Sequence, residues 1–101
     1  MTRLETAFTA ELLENLKKAE QITGTAEPRL YAQAQRDGVK AIKELIRRGQ
    51  QTRQFSSLQE QKRLDLTPEY LATKGKYGAL FTDEEVNACL ALLLEAGAFS
   101  G

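Results

Sequence analysis

Histidine and tryptophan are absent from the sequence, and cysteine occurs once, at Cys89. Without histidine, the chain lacks the usual general base and the commonest metal ligand of proteins. A single cysteine also excludes zinc sites built from cysteine and histidine, and it excludes an internal disulfide bond. We therefore expect no metal, no cofactor and no enzyme activity. The free thiol fits a reducing cytoplasm.

Carboxylates are the remaining candidates for catalysis, but local interpretations explain them better. The run Asp83–Glu85 follows a predicted helix start, where negative charge is favourable. Glu11 and Glu14 fit a solvated helix face. Residues 75–78 contain two glycines and a lysine but lack the preceding strand and the spacing of a phosphate-binding loop. A carboxylate enzyme is therefore the third alternative, behind two binding functions.

Long apolar runs and strand patterns are missing as well. The longest apolar run, Ala88 to Leu94, is much shorter than the ~20 residues that span a bilayer. The N-terminal residues lack the apolar core of an export signal, and no stretch alternates apolar and polar residues as strands do. The sequence therefore predicts a soluble cytoplasmic protein without a membrane partner. We expect one all-α domain over residues 1–101, a compact bundle of four to five short helices.

The first helix boundaries follow from capping residues and glycines. The segment Thr2–Glu5 matches a capping box, and Gly24 is placed to end the first helix. A second helix should begin within Thr25–Pro28. The pair Asp37-Gly38 then predicts a break before a third helix over residues 39–48. One continuous helix is the alternative, because glycine costs only ~1 kcal/mol relative to alanine in a helix.

Three further helix starts are marked by side chains. Ser56 with Gln59 predicts a capping box for a short helix. Thr67-Pro68 predicts a second start, with proline at the first helical position. Thr82 with Glu85 predicts the third, whose helix should run to about residue 96. Apolar pairs at the positions of a hydrophobic staple flank the last two starts: Leu66 with Leu71, and Phe81 with Val86.

The last predicted helix is apolar on nearly all sides, so it forms either the centre of the bundle or a subunit interface. We expect the central position, with a homodimer through this helix as the alternative. Cys89 lies on its apolar face and is interpreted as an inert core residue. The predicted core comprises Phe8, Leu12, Leu16, Ile42, Leu45, Leu66, Leu71, Phe81, Val86, Leu90 and Leu93. Tyr31, Tyr70 and Tyr77 are expected to be half-buried, with hydroxyls that reach water.

Charge is balanced overall but segregated along the chain. Residues 36–76 carry a net charge of +5, whereas residues 77–101 carry −4. Such a pattern indicates a phosphate-binding face, or two surfaces that attract each other, or simply a solvated surface whose charges balance across the fold. A helix-turn-helix is disfavoured, because the predicted loop over residues 49–55 is longer than the roughly three or four residues of that motif. The candidate binding surface comprises Lys43, Arg47, Arg48, Arg53, Lys62 and Arg63.

The chain from Asp37 onward resembles a segment found in an uncharacterised group of small bacterial helical proteins. The matching pieces are Gly38-Val39-x-Ala41-x-Lys43-x-Leu45, Phe55-x-x-Leu58, Arg63-Leu64-Asp65-Leu66-Thr67-x-Glu69-x-Leu71 and Leu80-Phe81-Thr82-x-x-Glu85. The stretch from Asp37 onward makes up about the last 60% of the chain. The sequence departs at Gln61-Lys62, where the pattern has more apolar or glycine residues. The resemblance implies a bacterial or mobile-element origin and carries no activity and no functional residues.

The sequence thus predicts a small non-catalytic protein-binding module, accessory or regulatory, encoded by a mobile element. The missing catalytic residues, the apolar last helix and the segregated charge are the basis of this prediction. The expected partner is a larger protein of unknown identity. A nucleic-acid-binding protein that uses the basic segment 36–76 is the alternative.

Overall fold

The computed structural model describes residues 2–49 and 51–99. Its α-helices are α1 (Arg3–Thr23), α2 (Pro28–Arg48), α3 (Phe55–Glu60), α4 (Pro68–Ala72) and α5 (Asp83–Glu95). Two 3-10 turns, Leu64–Leu66 and Gly75–Leu80, precede α4 and α5. The described residues contain no strand and have a radius of gyration of 12.5 Å, close to the ~13 Å of a compact chain of this length. The predicted all-α bundle is therefore confirmed.

Helix α1 is the central helix of the bundle, because it packs against α2, α3, α4 and both 3-10 turns. Its start is the predicted capping box: the Glu5 backbone N–H donates to Thr2 Oγ1 at 3.1 Å, and the Thr2 N–H donates to the Glu5 carboxylate at 3.2 Å. Its end is Gly24, which has a positive φ of 72° as predicted for a helix C-terminus. The side chains that α1 buries include Phe8, Leu12, Leu16 and Ala19.

Helix α2 is kinked at the predicted break. Asp37 has extended backbone angles (φ −162°, ψ 99°), and its Oδ1 accepts a hydrogen bond from the Lys40 N–H at 3.1 Å. Asp37 therefore caps the second half of α2. The Gly38 N–H donates to Thr9 Oγ1 of α1 at 3.1 Å, and a Cβ on Gly38 would lie 2.6 Å from that oxygen. Glycine is needed here because α1 and α2 approach closely.

The later helix starts confirm two of the three predictions. Thr67 Oγ1 accepts the Tyr70 N–H at 3.2 Å, and Thr82 with Glu85 forms a complete capping box at 3.1 and 2.8 Å. The predicted cap at Ser56 is wrong, because α3 already begins at Phe55. Tertiary contacts determine this start: the preceding Gln54 is buried, and its amide donates to the Thr25 carbonyl at 2.7 Å.

The core consists of two clusters of buried side chains. In the larger one, the Phe8 ring packs edge-on against Tyr77 at 5.1 Å and against Phe81 at 5.2 Å. Leu66 and Leu71 are both buried but belong to different clusters, so the structure does not join them in the predicted staple. Eight predicted core residues are buried: Phe8, Leu12, Leu16, Ile42, Leu66, Leu71, Phe81 and Leu93. Three are only partly buried: Leu45, Val86 and Leu90.

Helix α5 does not occupy the centre of the bundle, so that prediction is wrong. It packs against α2 and α4 through one side, on which Cys89 and Leu93 are buried. The other side, with Ala88, Ala91 and Leu94, is exposed. The longer α1 occupies the centre because it has contacts along its whole length. Within the described residues, no helix combines the length and the apolar character needed to cross a membrane.

Candidate functional site

A surface pocket of about 250 Å³ lies between the C-terminal half of α2, the short α4 and the exposed side of α5. Among the described residues, two acids and no basic residue contribute to its wall, and the remainder of the wall is apolar apart from backbone. The acids are Glu69 and Glu95; the other lining residues are Leu45, Ile46, Gly49, Ala88, Cys89, Ala91 and Leu92. We call this cavity the Glu69 pocket. An apolar cavity with a few polar groups is the usual form of a binding site.

Glu69 is the unusual member of this wall. Its residue is only 3% exposed, and neither carboxylate oxygen has a hydrogen-bond partner among the described residues. Burial raises the pKa of Glu69 to about 7. The backbone N–H of Glu69 lowers this pKa in part, although it does not form a hydrogen bond of normal geometry. The negative charge of Glu27 raises the pKa of Glu69 further. Buried polar groups in proteins are almost always paired, so an unpaired carboxylate is a marker of function.

The local sequence buries Glu69 because α4 is short and enclosed. Thr67 caps α4 and is itself fully buried, and Pro68 begins the helix. Glu69 is therefore held in the first turn of a helix whose other residues, apart from the partly exposed Tyr70, are also buried. Sequence reasoning missed this residue because a glutamate in the first turn of a helix is ordinarily exposed. The available signal was the number of apolar residues close to it on both sides, among them Leu64, Leu66 and Leu71.

Cys89 contributes its thiol to the same wall. It is buried, as predicted, and burial together with the nearby charges of Glu69 and Glu85 raises the pKa of the thiol to about 12. A nucleophilic cysteine requires the opposite shift, toward the thiolate. The thiol of Cys89 is therefore expected to be unreactive, because little of it is ionised at neutral pH.

An exposed apolar surface borders the Glu69 pocket. Ala88, Ala91 and the partly exposed Leu92 line the pocket, and Leu94 lies further around α5, on the side that also carries the exposed Asn87 and Glu95. We call Ala88, Ala91, Leu92 and Leu94 the α5 face. Leu94 exposes 63% of its surface. Beyond the helix, Phe99 exposes 49% of its surface and stacks on Tyr70 at 6.1 Å between ring centroids. The pocket thus opens beside a surface that water solvates poorly.

Three of the six predicted basic residues are paired with acids. Lys43 Nζ lies 2.7 Å from the Glu85 carboxylate and 5.3 Å from the centroid of the Phe81 ring, so it joins α2 to the start of α5. Arg48 lies 4.0 Å from Glu44 of the preceding turn. The last pair joins Arg63 to Asp65 at 3.1 Å.

The structure distributes five of the six basic residues among three surface depressions. Lys43 and Arg47 line a groove between α2 and α5 that also contains Glu44, Glu84 and Glu85. Arg48 and Arg53 line a second one, together with Glu27 and Glu44. Lys62 lines a third beside Asp65, near the end of α5. Acidic side chains therefore interrupt each part of the predicted surface.

Glu11 forms a second polar cluster. Unlike the carboxylate of Glu69, the carboxylate of Glu11 is fully paired. Its carboxylate accepts hydrogen bonds from Lys74 Nζ at 2.8 Å and from the Tyr77 hydroxyl at 2.7 Å, and Lys76 Nζ lies 3.0 Å away. Lys74, and then Tyr77, lower the pKa of Glu11 to about 2. The prediction that this acid belongs to a solvated face is wrong, and so is the prediction that the Tyr77 hydroxyl reaches water. The cluster ties the second 3-10 turn to α1.

Among the described residues, no group of three or more cysteine, aspartate or glutamate side chains is placed to hold a metal ion. The Glu69 pocket is thus the site that combines a cavity, a buried titratable group and an exposed apolar rim. No protein-family profile matches the chain, and neither the curated proteins nor the solved structures include one with significant similarity to it.

Proposed function

We propose that this chain is a non-catalytic protein-binding module that docks on a larger partner through the α5 face. The observation that carries the proposal is the exposure of Leu94 on the same helix that lines the Glu69 pocket, with Phe99 also exposed beyond the end of that helix. An exposed large apolar side chain on a helix that also lines a cavity is a feature of protein interfaces.

The packing of α5 supports this use of its outer side. Cys89 and Leu93 are buried on the inner side and attach the helix to the bundle, and the Thr82 capping box and the Lys43–Glu85 pair hold its first turn. A helix that is held in this way presents its outer residues in one orientation. A preorganised surface loses less conformational entropy on binding than a flexible one.

The nucleic-acid alternative is supported less well. Phosphate recognition needs side-chain cations that are free to displace the counterions condensed on the nucleic acid. Lys43, Arg48 and Arg63 are already paired with acids, and Glu84 and Glu85 lie beside Arg47. The intramolecular attraction of the acidic tail for the basic segment thus competes with phosphate.

A capture experiment with matched substitutions tests the proposal. The tagged chain and its Ala91→Asp and Leu94→Asp variants are used to recover proteins from the organism that encodes it, with Ala10→Asp on the exposed side of α1 as the control. We expect one stoichiometric partner with the wild type and the control, and loss of that partner with both α5 variants. Recovery that is unchanged by the α5 substitutions, or that disappears after nuclease treatment, contradicts the proposal.

A further inference from the structure

The size of the Glu69 pocket restricts what it accepts. Its volume of about 250 Å³ is below the roughly 300–1,000 Å³ of cavities that enclose drug-sized ligands. A single extended side chain is a more suitable occupant than a cofactor. The apolar wall formed by Leu45, Ile46 and Leu92 provides contact for a hydrocarbon stem.

The charge of the pocket restricts the occupant further. Glu69 and Glu95 lie in its wall, and among the described residues no lysine or arginine lines it. Both Glu69 oxygens lack a hydrogen-bond partner within the described chain. A buried carboxylate without a partner is unfavourable, and a cation that donates hydrogen bonds to it removes that penalty.

We propose that the Glu69 pocket receives a lysine or arginine side chain of the protein partner, whose charged group pairs with Glu69 while its stem lies against Leu45, Ile46 and Leu92. The inference rests on the proposed function, because the α5 face borders this pocket and brings the partner to it. Lysine and arginine combine an apolar stem with a cationic end. The apolar wall of the pocket complements the stem, and Glu69 complements the cation.

Entry of the cation requires a small movement of the wall. The Glu69 oxygens have no contact with solvent in this structure, so a covering side chain must shift before a hydrogen bond forms. Leu45, Ile46 and Leu92 are the large apolar side chains of the wall, and all three are only partly buried. A carboxylate whose pKa is about 7 is partly ionised at neutral pH, and a bound cation completes its ionisation.

The test uses n-butylammonium as a probe of the lysine side chain and pentanoate as an anion of similar length. Both are titrated into the isotopically labelled full chain, and backbone amide shifts are followed by NMR. We expect saturable shifts at Gly49, Cys89 and Leu92 with n-butylammonium, and at least tenfold weaker binding of pentanoate, equivalent to about 1.4 kcal/mol. Equal binding of the two probes, or no saturable shift with n-butylammonium, overturns the proposal without any substitution.

Variants assign the effect to one carboxylate. Glu69→Gln keeps the shape of the side chain and should weaken n-butylammonium binding about tenfold, whereas Glu95→Gln on the exposed side of the pocket should change it less than twofold. These fold-changes correspond to about 1.4 and 0.4 kcal/mol. A Glu69→Gln variant that folds and binds the probe as well as the wild type contradicts the assignment.

The same variants separate this inference from the proposed function. If capture of the partner is lost with Leu94→Asp but unchanged with Glu69→Gln, the α5 face is supported as the docking surface and the contact with Glu69 is contradicted. Loss with both substitutions supports both statements. If neither substitution affects capture, the proposal that the partner docks on the α5 face is itself contradicted.

Discussion

Glu69 makes the stability of this protein depend on pH in an unusual direction. An acid whose pKa rises on folding, here from 4.5 to about 7, is held in its protonated form by the folded state. Below pH 4.5 the folded and unfolded chains are both protonated at this group. As the pH rises from 4.5 to 7, the unfolded chain releases the proton first, and the folded state loses stability relative to it.

We therefore expect the free energy of unfolding to fall between about pH 5 and pH 8 by on the order of 2–3 kcal/mol, since one pKa unit is equivalent to about 1.4 kcal/mol. Glu69→Gln should abolish most of this dependence, whereas Glu95→Gln should retain it. Urea titrations at several pH values provide the measurement. A wild-type profile that is flat over this range would show that Glu69 finds a partner in solution.

Glu11 should produce the opposite dependence at lower pH. Its pKa is lowered to about 2 by Lys74 and Tyr77, so its stabilising effect is complete above pH 4.5 and is lost as the pH falls toward 2. Glu11→Gln should lower stability at neutral pH and weaken the acid dependence. Glu14→Gln is the matched control on the same helix, because Glu14 is 63% exposed and pairs only with Lys18 among the described residues. Equal effects of the two substitutions contradict the role of the cluster.

At the scale of helices, the contact between α1 and α2 depends on Gly38. A Cβ at this position would lie 2.6 Å from Thr9 Oγ1 and 3.0 Å from the Thr9 Cα, so Gly38→Ala must push the helices apart. We expect a loss of ~1–3 kcal/mol in the free energy of unfolding. Gly75→Ala is the control, since a Cβ there meets no atom within 4 Å, and should change stability by less than about 0.5 kcal/mol. A neutral Gly38→Ala variant is the outcome that contradicts this account.

The two sides of α5 should respond differently to truncation. Leu93 is fully buried, so Leu93→Ala should cost ~2–5 kcal/mol because a cavity remains. Leu90 is only partly buried, so Leu90→Ala should lower the free energy of unfolding by less than Leu93→Ala does. Leu94→Ala should change the free energy of unfolding by no more than about 0.5 kcal/mol. Denaturant unfolding of the three variants measures the order. A large loss at Leu94 would mean that the outer side of α5 is buried in solution, by a second copy of the chain.

For the whole molecule, the distribution of charge predicts weak binding to nucleic acid. Six phosphate contacts on duplex DNA give a log–log salt dependence with a slope of roughly −5. We expect a slope shallower than about −3, because residues such as Lys43 and Arg48 are already paired with acids and therefore make fewer phosphate contacts. Labelled duplex and single-stranded DNA at several salt concentrations provide the test. Submicromolar binding at physiological salt that Arg47→Glu with Arg48→Glu abolishes would make nucleic acid the partner.

Much of the fold could be predicted because helix termini depend on nearby residues. The capping box at Thr2 and the caps at Thr67 and Thr82 bond backbone groups within three residues, so their outcome is independent of the rest of the chain. Asp37 predicted the kink in α2 for the same reason. Ser56 failed because the start of α3 depends on Gln54, which bonds to the distant Thr25.

The candidate site, in contrast, was outside the reach of sequence reasoning. Three of the basic residues in the predicted surface are paired with Glu85, Glu44 and Asp65, and only the pairing of Lys43 with Glu85 depends on how the helices are placed. Glu69 was overlooked because burial is a property of the surrounding helices. The residue pattern within one helix does not show which side chains of other helices will shield a given residue from water.

The sequence by itself determined the all-α class, most of the helix termini and most of the core, because capping and apolar periodicity act within one or two helical turns. The tertiary structure alone decided that α1 is central, that α5 leaves one apolar side exposed and that Glu69 is enclosed with no hydrogen-bond partner among the described residues. An apolar helix gains from burial on any side, and the side that is buried depends on how the other helices fill the space around it.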